Sequence, residues 1–181
     1  MKKCIHLIFT CTSLLLFIAL HSCTTEKQKI INEAEIQTIA TVIDNSISWF
    51  KTKDFDLLFA TMADDTAFFM FQPTSDATVR GIEQFRGYSD GWIDSANHYV
   101  SHEIRDLNIS IGPAGDVAWF RAELDDCGEY SGQVGCWKDT RWTGVLEKRK
   151  GKWVIVQQHF SFAADRVADR VKKRLMSDLS E

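Results

Sequence analysis

Apolar residues recur at helical intervals through the first half of the chain. Between residues 31 and 50 they lie three or four positions apart, with acidic residues, Asn or Gln between them, which predicts a long amphipathic helix. The apolar positions are Ile31, Ala34, Ile36, Ile39, Ala40, Ile43, Ile47 and Phe50. Similar spacing predicts a shorter helix over residues 55–62 and a third helix over residues 81–95, interrupted near residues 87–91.

The second half of the chain has the alternation and composition of β-strands. Four long segments are separated by turn residues such as Gly112, Pro113, Lys150 and Gly151, and they predict four antiparallel strands. The segments are residues 98–111, 116–127, 137–149 and 152–162. A shorter strand is predicted over residues 68–72, where Pro73 follows and ends it. Helices followed by strands indicate an α+β fold.

The end of the chain returns to a helical period. Val167, Val171, Leu175 and Leu179 are spaced by four among charged residues. This spacing predicts a C-terminal amphipathic helix over residues 164–181, with one narrow apolar seam.

Residues 1–22 have the pattern of an export signal. Lys2 and Lys3 precede an apolar run that is too short for an ordinary membrane span, and small or polar residues follow it. The Leu-His-Ser-Cys ending resembles the lipobox of bacterial lipoproteins, although His21 replaces the small residue usual there. The resemblance implies cleavage before Cys23 and acylation of that residue, and therefore a lipid anchor in the bacterial cell envelope, periplasmic or surface-exposed. A plain secretory peptide with an incidental Cys23 is the alternative.

Removal of residues 1–22 leaves a length typical of one domain, with residues 23–30 as a polar tether and residues 31–163 as the folded domain. The formal net charge of the full sequence is −4, which gives no reason to expect nucleic acid as a partner. The one basic cluster, residues 148–152, is interpreted as a solvated hairpin tip rather than as a phosphate site.

The sequence has five cysteines, and their positions suggest different fates. Cys4 and Cys11 leave with the signal segment, and Cys23 is assigned to the lipid. Cys127 and Cys136 remain as a pair in an oxidising compartment, which predicts a disulfide across the ends of two adjacent strands.

Turn positions predict the register of the long strands. If Cys127 lies opposite Cys136, then Arg141 lies opposite Ala122; a tight turn at Lys150-Gly151 leads to the same division of faces. One face collects Ala118, Phe120, Ala122, Leu124, Arg141, Thr143, Val145, Val154, Val156, Gln158 and Phe160. The other face collects Val117, Trp119, Arg121, Trp142, Leu146, Trp153, Ile155 and His159. Both faces are apolar enough to require a cover, and the helices can cover only one.

This order of elements resembles the SnoaL-like branch of the NTF2-like superfamily. The resemblance covers about residues 31–163 and rests on Ala63-Asp64-Asp65-Thr66-Ala67 ahead of the first strand and on the last strand, residues 151–161. It implies a cone fold in which N-terminal helices and a strongly bent antiparallel sheet enclose a pocket, while the convex sheet face often forms a dimer. The residues expected on that dimer face are Trp119, Arg121, Trp142, Trp153 and His159.

Ketosteroid isomerase chemistry, known in this superfamily, requires an acid–base carboxylate and a two-donor oxyanion hole. The resemblance carries the three positions to Ser46, to Met70 or Gln72, and to Thr143. None of these side chains can perform the required proton chemistry, so we expect no isomerase activity of this kind.

Other chemistries have weaker support. His98 and His102 are four positions apart, which in a strand separates them by about 13 Å and rules out a shared metal ion. Glu123, Asp125 and Asp126 are interpreted as a solvated strand end rather than as a carboxylate cluster. His159, opposite Trp142 in the predicted register, is assigned to the dimer face rather than to a ligand contact. No cofactor, metal or catalytic residue is assigned.

Arg141 is the candidate polar anchor of the pocket. A guanidinium on an apolar face is costly unless it meets an acid or an anionic ligand. The alternative is an arginine at the mouth of the pocket whose charged group extends to water. The predicted pocket residues are Phe68, Met70, Tyr88, Trp92, Phe120, Arg141, Thr143, Gln158 and Phe160. The leading hypothesis is a binding domain for a small amphipathic or carboxylate-bearing molecule. The alternative is a cofactor-independent hydrolase or isomerase for a polar organic substrate, which a titrating carboxylate deep in the pocket would favour.

Overall fold

A curled six-stranded sheet with helices on one side dominates the structure, and the predicted α+β fold is confirmed. The computed structural model describes residues 32–74 and 77–169. The predicted signal segment, Cys23 and the tether, as well as Val171, Leu175 and Leu179, lie outside the described residues.

The helices lie where the apolar spacing predicts them. Residues 32–48 are helical; residues 32–37 belong to a separate compact unit, and α1 here denotes residues 38–48 of the main unit. A 3₁₀ turn, Trp49–Lys51, follows, and then come α2 (Phe55–Ala60), α3 (Ile82–Arg86), α4 (Ser89–Ile93) and α5 (residues 164–169). Asp54 caps the N-terminus of α2, and its carboxylate accepts a hydrogen bond of 2.9 Å from the Leu57 N–H.

The sheet has the strand order β2-β1-β6-β5-β4-β3. Its strands are β1 (Phe69–Phe71), β2 (Val79–Arg80), β3 (Asn97–Ile111), β4 (Val117–Tyr130), β5 (Gln133–Arg149) and β6 (Lys152–Ser161). Strands β1 and β6 are parallel, and all other neighbours are antiparallel. The four long predicted strands are therefore confirmed, while β2 has no counterpart among the sequence predictions because it is only two residues long.

Two tight turns connect the three last strands. Lys150 and Gly151 form the predicted two-residue turn, with positive φ angles of 50° and 79°. Ser131 and Gly132, with φ angles of 50° and 81°, form a second turn between β4 and β5. Two consecutive residues with positive φ match the twist of an antiparallel hairpin. Strands β4 and β5 thus continue past the two cysteines, whereas the predicted strand segments end at residue 127 and resume at residue 137.

Cys127 and Cys136 lie opposite each other in β4 and β5 and form the predicted disulfide. The register between this bond and the Lys150-Gly151 turn differs from the prediction by one residue. Ala122 lies opposite Trp142 rather than Arg141, and Phe120 lies opposite Gly144.

Two β-bulges interrupt the ladders, and the first of them causes this difference. In the first, Lys138 and Asp139 of β5 lie opposite Asp125 alone; in the second, Val156 is an extra residue of β6 beside the Val145–Leu146 step. A shift of one residue moves every following side chain to the other face of the sheet. Arg141 and Thr143 are therefore exposed on the outer face, which corrects their predicted position.

The inner face of the sheet and the helices form the core. Trp142, Leu146, Trp153 and Ile155, predicted on the outer face, are buried in this core because of the first bulge. Phe120 packs edge to face on Trp142 at 5.0 Å between ring centroids. Among residues 32–74 and 77–169, no helix is long and apolar enough to cross a membrane.

Candidate functional site

A cavity of about 300 Å³ lies between the helices and the inner face of the sheet. Its walls come from α1, the 3₁₀ turn, α2, β1, α3, α4, β4, β5 and β6, so almost every element contributes to one site. The lining residues are Ser46, Ile47, Trp49, Phe50, Leu58, Met62, Met70, Gln72, Phe85, Trp92, Leu124, Asp126, Trp137, Gln158 and Phe160.

Aromatic rings enclose the cavity from three directions. Trp49 follows helix α1, and its ring lies 5.4 Å from that of Trp92 in α4. Phe85 of α3 lies 5.3 Å from Trp92, with the rings edge to face. On the sheet side, the Trp137 and Phe160 rings are 6.1 Å apart. These ring contacts hold one another in place, so the aromatic wall is formed without a ligand.

Gln158 is a buried polar residue of the wall, and its amide is already engaged. Its Oε1 accepts a hydrogen bond of 3.3 Å from the Trp142 indole N–H. Its Nε2 donates to the Met70 sulfur at 3.3 Å and lies 4.0 Å from the Met62 sulfur. The amide orientation is therefore fixed by the protein.

Asp126 brings a carboxyl group into this apolar surrounding. It lies on β4 two residues after Leu124, and the alternation of the strand places both side chains on the inner face. No hydrogen bond or ion pair joins its carboxyl to another described residue. Burial raises the pKa of Asp126, and the neighbouring His102 opposes this only in part.

His102 lies opposite Asp126 on the adjacent strand β3. Its Nδ1 is 3.1 Å from the Tyr99 hydroxyl, and its Nε2 is 3.1 Å from an Asp44 carboxylate oxygen. The Tyr99 hydroxyl also accepts a hydrogen bond of 3.0 Å from the His102 backbone N–H. It can therefore donate its own proton to Nδ1, which leaves the Nε2–H to donate to Asp44. Both ring nitrogens are thus committed to partners other than Asp126.

Asp125 points the other way and belongs to an ion-pair cluster. Arg105 lies within 4 Å of four acidic residues, and its contacts to Asp125 and Asp139 measure 3.0 Å and 2.9 Å. Burial alone would raise the pKa of Asp125. Hydrogen bonds from Lys138, the Asp139 backbone N–H and Arg105 outweigh this and lower the pKa to about 2. The expected solvated strand end is therefore wrong, since one carboxyl is paired and its neighbour faces the cavity.

Four of the nine predicted pocket residues line the cavity: Met70, Trp92, Gln158 and Phe160. Phe68, Tyr88 and Phe120 belong to the apolar core around it but do not line it. Arg141 and Thr143 are exposed on the outer face, so Arg141 cannot anchor a ligand in this cavity. Of the positions carried over from the isomerases, Ser46, Met70 and Gln72 line the cavity, whereas Thr143 does not.

The residues predicted for the outer face divide into two groups. Trp119, Arg121 and His159 are exposed there, and half of the Trp119 surface is accessible. Trp142 and Trp153 are buried in the core and are corrected accordingly.

Sequence reasoning missed Asp126 and much of the aromatic wall, including Trp49, Phe85 and Trp137. The sequence does contain a signal for Asp126. It lies two positions after Leu124 in a strand, so both side chains point to the same face, and that face is otherwise apolar. In the described part of the chain, no three His, Cys, Asp or Glu side chains lie together in a group that could hold a metal ion.

A shallower groove adjoins the cavity at the disulfide-bonded hairpin. Asp126 and Trp137 line both spaces, and Gly128, Gly135 and Cys136 complete the groove. A Cβ atom placed on Gly135 would meet no heavy atom within 4 Å, so the hairpin leaves this side open. Asp126 therefore lies at the boundary between the cavity and this groove.

The chain is similar to one protein family and to several solved structures. Residues 39–165 match the model of a SnoaL-like domain. A candidate scytalone dehydratase from Novosphingobium aromaticivorans has 13% identity and a TM-score of 0.61, with 71% of this chain and 84% of that chain covered.

Two further solved structures are NTF2-like proteins. One, of unknown function from Pseudomonas putida, has 18% identity and a TM-score of 0.56, with coverage of 74% and 88% of the two chains. The other, from Cytophaga hutchinsonii, has 18% identity and a TM-score of 0.55, with coverage of 70% and 97%. A comparison with curated proteins gave no match. At these identities the solved structures show the fold alone.

Proposed function

The chain belongs to the family of SnoaL-like domains, and from this premise we propose that it binds a small, mainly apolar molecule in its cavity. The observation that carries the proposal is an aromatic-walled space of about 300 Å³. Protein interiors are close-packed and rarely keep a void of this size, whereas small-molecule sites begin at about this volume. The fixed Gln158 amide and the mutually packed rings support a preformed binding site.

Asp126, not Arg141, is the charged group available to a ligand. Arg141 is on the opposite face of the sheet, so a carboxylate-bearing ligand has no cationic anchor among the described lining residues. The proposed ligand is therefore not an organic acid. We also propose that the protein performs this role at the cell envelope, held by a lipid on Cys23, because residues 1–23 carry the signal pattern and the lipobox-like ending.

Binding of a neutral probe, indan-1-one, tests the proposal. We expect calorimetry to detect one site on the purified full-length protein. Ile47→Trp, which places an indole in the cavity, should weaken binding at least about tenfold, because the probe and the new side chain compete for one space. Arg141→Met is the matched control on the outer face and should leave the affinity unchanged. Equal affinity for both variants would place the probe elsewhere and overturn the proposal.

A second function is favoured by the state of Asp126. A carboxyl whose pKa is raised by burial inside a ligand-sized cavity is one signature of acid–base catalysis. In this alternative the protein is a cofactor-independent enzyme. Asp126 takes a proton from a carbon next to a carbonyl and returns it, and Gln72, which also lines the cavity, is the amide available to hydrogen-bond the carbonyl oxygen.

The same probe separates the enzyme from the binding protein. In D₂O, an enzyme of this kind exchanges the C2 protons of indan-1-one for deuterium, and nuclear magnetic resonance follows the loss of their signal. Wild-type protein should accelerate the exchange, and Asp126→Asn should abolish the acceleration while the probe still binds. Binding without accelerated exchange supports the binding function alone.

A further inference from the structure

Asp126 is the one ionisable side chain among the described residues that line the cavity. Its carboxyl has no hydrogen-bond or ion-pair partner in the described part of the chain, and burial makes its ionised form costly. A partly buried carboxyl of this kind is relieved either by taking up a proton or by pairing with a cation, and a cationic ligand would supply the second.

The cationic side chains nearby are engaged elsewhere. The Lys53 ammonium donates to the Asp94 carbonyl at 2.7 Å and lies over the Phe50 ring at 5.9 Å. Arg105 belongs to the ion-pair cluster on the other face of the sheet, and His102 is held between Tyr99 and Asp44. None of these groups lines the cavity. His102 lies opposite Asp126 in the sheet and acts on its carboxyl only electrostatically, so the cavity side of Asp126 is open to an external positive charge.

The walls are suited to such a charge. Besides Phe50, which Lys53 already covers, the lining includes five aromatic residues: Trp49, Phe85, Trp92, Trp137 and Phe160. The faces of aromatic rings carry partial negative charge, and tryptophan attracts cations most strongly. Quaternary ammonium groups are recognised by several aromatic rings together, and here such rings line the same cavity as the Asp126 carboxyl.

We propose that the ligand is a small organic cation, a quaternary ammonium or a protonated amine, whose charged head lies beside Asp126 within these aromatic rings. This inference rests on the proposed binding function and names its ligand class. The groove shared by Asp126 and Trp137 gives a substituent of the cation a path toward the disulfide-bonded hairpin. The acidic balance of the sequence, with a net charge of −4, favours the approach of a cation.

Choline and 3,3-dimethylbutan-1-ol test the charge, since the alcohol has the same shape with a carbon in place of the nitrogen. With calorimetry on the full-length protein near neutral pH, choline should bind about tenfold more tightly or better, because the partly desolvated charge adds its attraction to equal apolar contacts. Asp126→Asn should remove this preference and leave the affinity for the alcohol unchanged. Equal binding of the two compounds to the wild type would overturn the inference.

A second pair of variants tests the rings. Trp92→Leu should weaken choline binding more than alcohol binding, because leucine keeps apolar contact but has no ring face. Tyr88→Leu is the control, since Tyr88 packs near Trp92 at 6.1 Å between ring centroids but does not line the cavity. If indan-1-one and the alcohol bind but choline has no advantage, the cation inference fails and the binding function stands. If none of the three binds, both fail.

Discussion

Asp125 and Asp126 are neighbours in the chain, yet folding affects their carboxyl groups in opposite ways. Asp125 faces Arg105 and Lys138, and its pKa falls to about 2. Asp126 faces the cavity, and its pKa rises because of burial. Strand alternation alone separates the two environments, so one carboxylate stabilises the fold at neutral pH and the other destabilises it.

Asp126→Asn should therefore stabilise the protein at neutral pH. The folded pKa of Asp126 is raised, so its contribution is most favourable below the unfolded pKa of about 4 and declines as pH rises through the folded value. Asparagine keeps the shape and cannot ionise. Thermal unfolding from acid to neutral pH should show a higher Tm for the variant that grows with pH and disappears in acid. A variant that is less stable at neutral pH would contradict the assignment of a carboxyl that is partly buried without a hydrogen-bond partner.

Asp125→Asn is the matched comparison, and we expect it to change the stability at neutral pH in the opposite direction. The wild-type carboxylate contributes stability above pH 3.8 and loses it as pH falls toward about 2. The variant should lose about 1–2 kcal/mol of unfolding free energy at neutral pH, allowing for solvent screening of the Arg105 cluster. Below about pH 2, where the carboxyl is protonated in both the folded and the unfolded state, the two proteins should be equally stable.

At the scale of elements, Gly144 fixes how β4 and β5 pack. A Cβ atom at this position would lie 2.5 Å from Cε1 of Phe120 and 2.8 Å from the Gln157 carbonyl oxygen. The missing side chain lets the Phe120 ring lie over β5 and contact Trp142, which in turn donates to Gln158 in the cavity wall. A small residue on one strand therefore positions the wall built by another.

Gly144→Ala should destabilise the protein by roughly 1–3 kcal/mol, because the carbonyl oxygen cannot move away without breaking the β5–β6 register. Gly135→Ala on the same strand is the control, since its added Cβ would meet no heavy atom within 4 Å. Urea unfolding measures both. Equal stability of the two variants would show that the Phe120 ring has room to shift.

The sequence predicts the elements well because they depend on local period. The long strands, the Lys150-Gly151 turn and the helices follow from apolar spacing and turn chemistry. The bulges at Asp139 and Val156 cannot be predicted in this way, because no residue type at these positions requires an extra residue in the strand. A bulge interrupts the hydrogen-bond ladder, and this loss is offset only by packing between strands that are distant in sequence. One slipped residue is enough to move Arg141 out of the predicted pocket and Trp142 into the core.

At the scale of the whole molecule, the proposed attachment to a membrane rests on residues 1–23 alone. We predict that Cys23→Ser abolishes lipid attachment, since a hydroxyl cannot replace the acylated cysteine that the lipobox-like ending implies. Membrane fractionation and the intact mass of the protein are the measurements. The wild type should carry acyl mass and sediment with membranes, and the variant should remain unprocessed or become soluble. A processed variant retained in membranes at the wild-type level would refute the prediction.

The outer face of the sheet determines the second whole-molecule prediction, which is a homodimer. Arg121, Thr143, His159 and Phe71 form a continuous exposed row across β4, β5, β6 and β1. Trp119 lies beside this row with half of its surface exposed. The ring centroids of Phe71 and His159 are 5.6 Å apart. Exposed aromatic residues grouped with an arginine on one face are typical of protein interfaces.

We propose that a second copy of the chain covers this row, and that Trp119→Glu disrupts the pairing. Two glutamates brought into one symmetric interface would repel each other and lose the buried indole area, so light scattering should show the mass of the particle falling by half. Val134→Glu is the control, because Val134 is equally exposed but lies at the tip of the β4–β5 hairpin. A wild-type protein that is monomeric at micromolar concentration, or a Trp119→Glu variant that still dimerises, would contradict this role of the outer face.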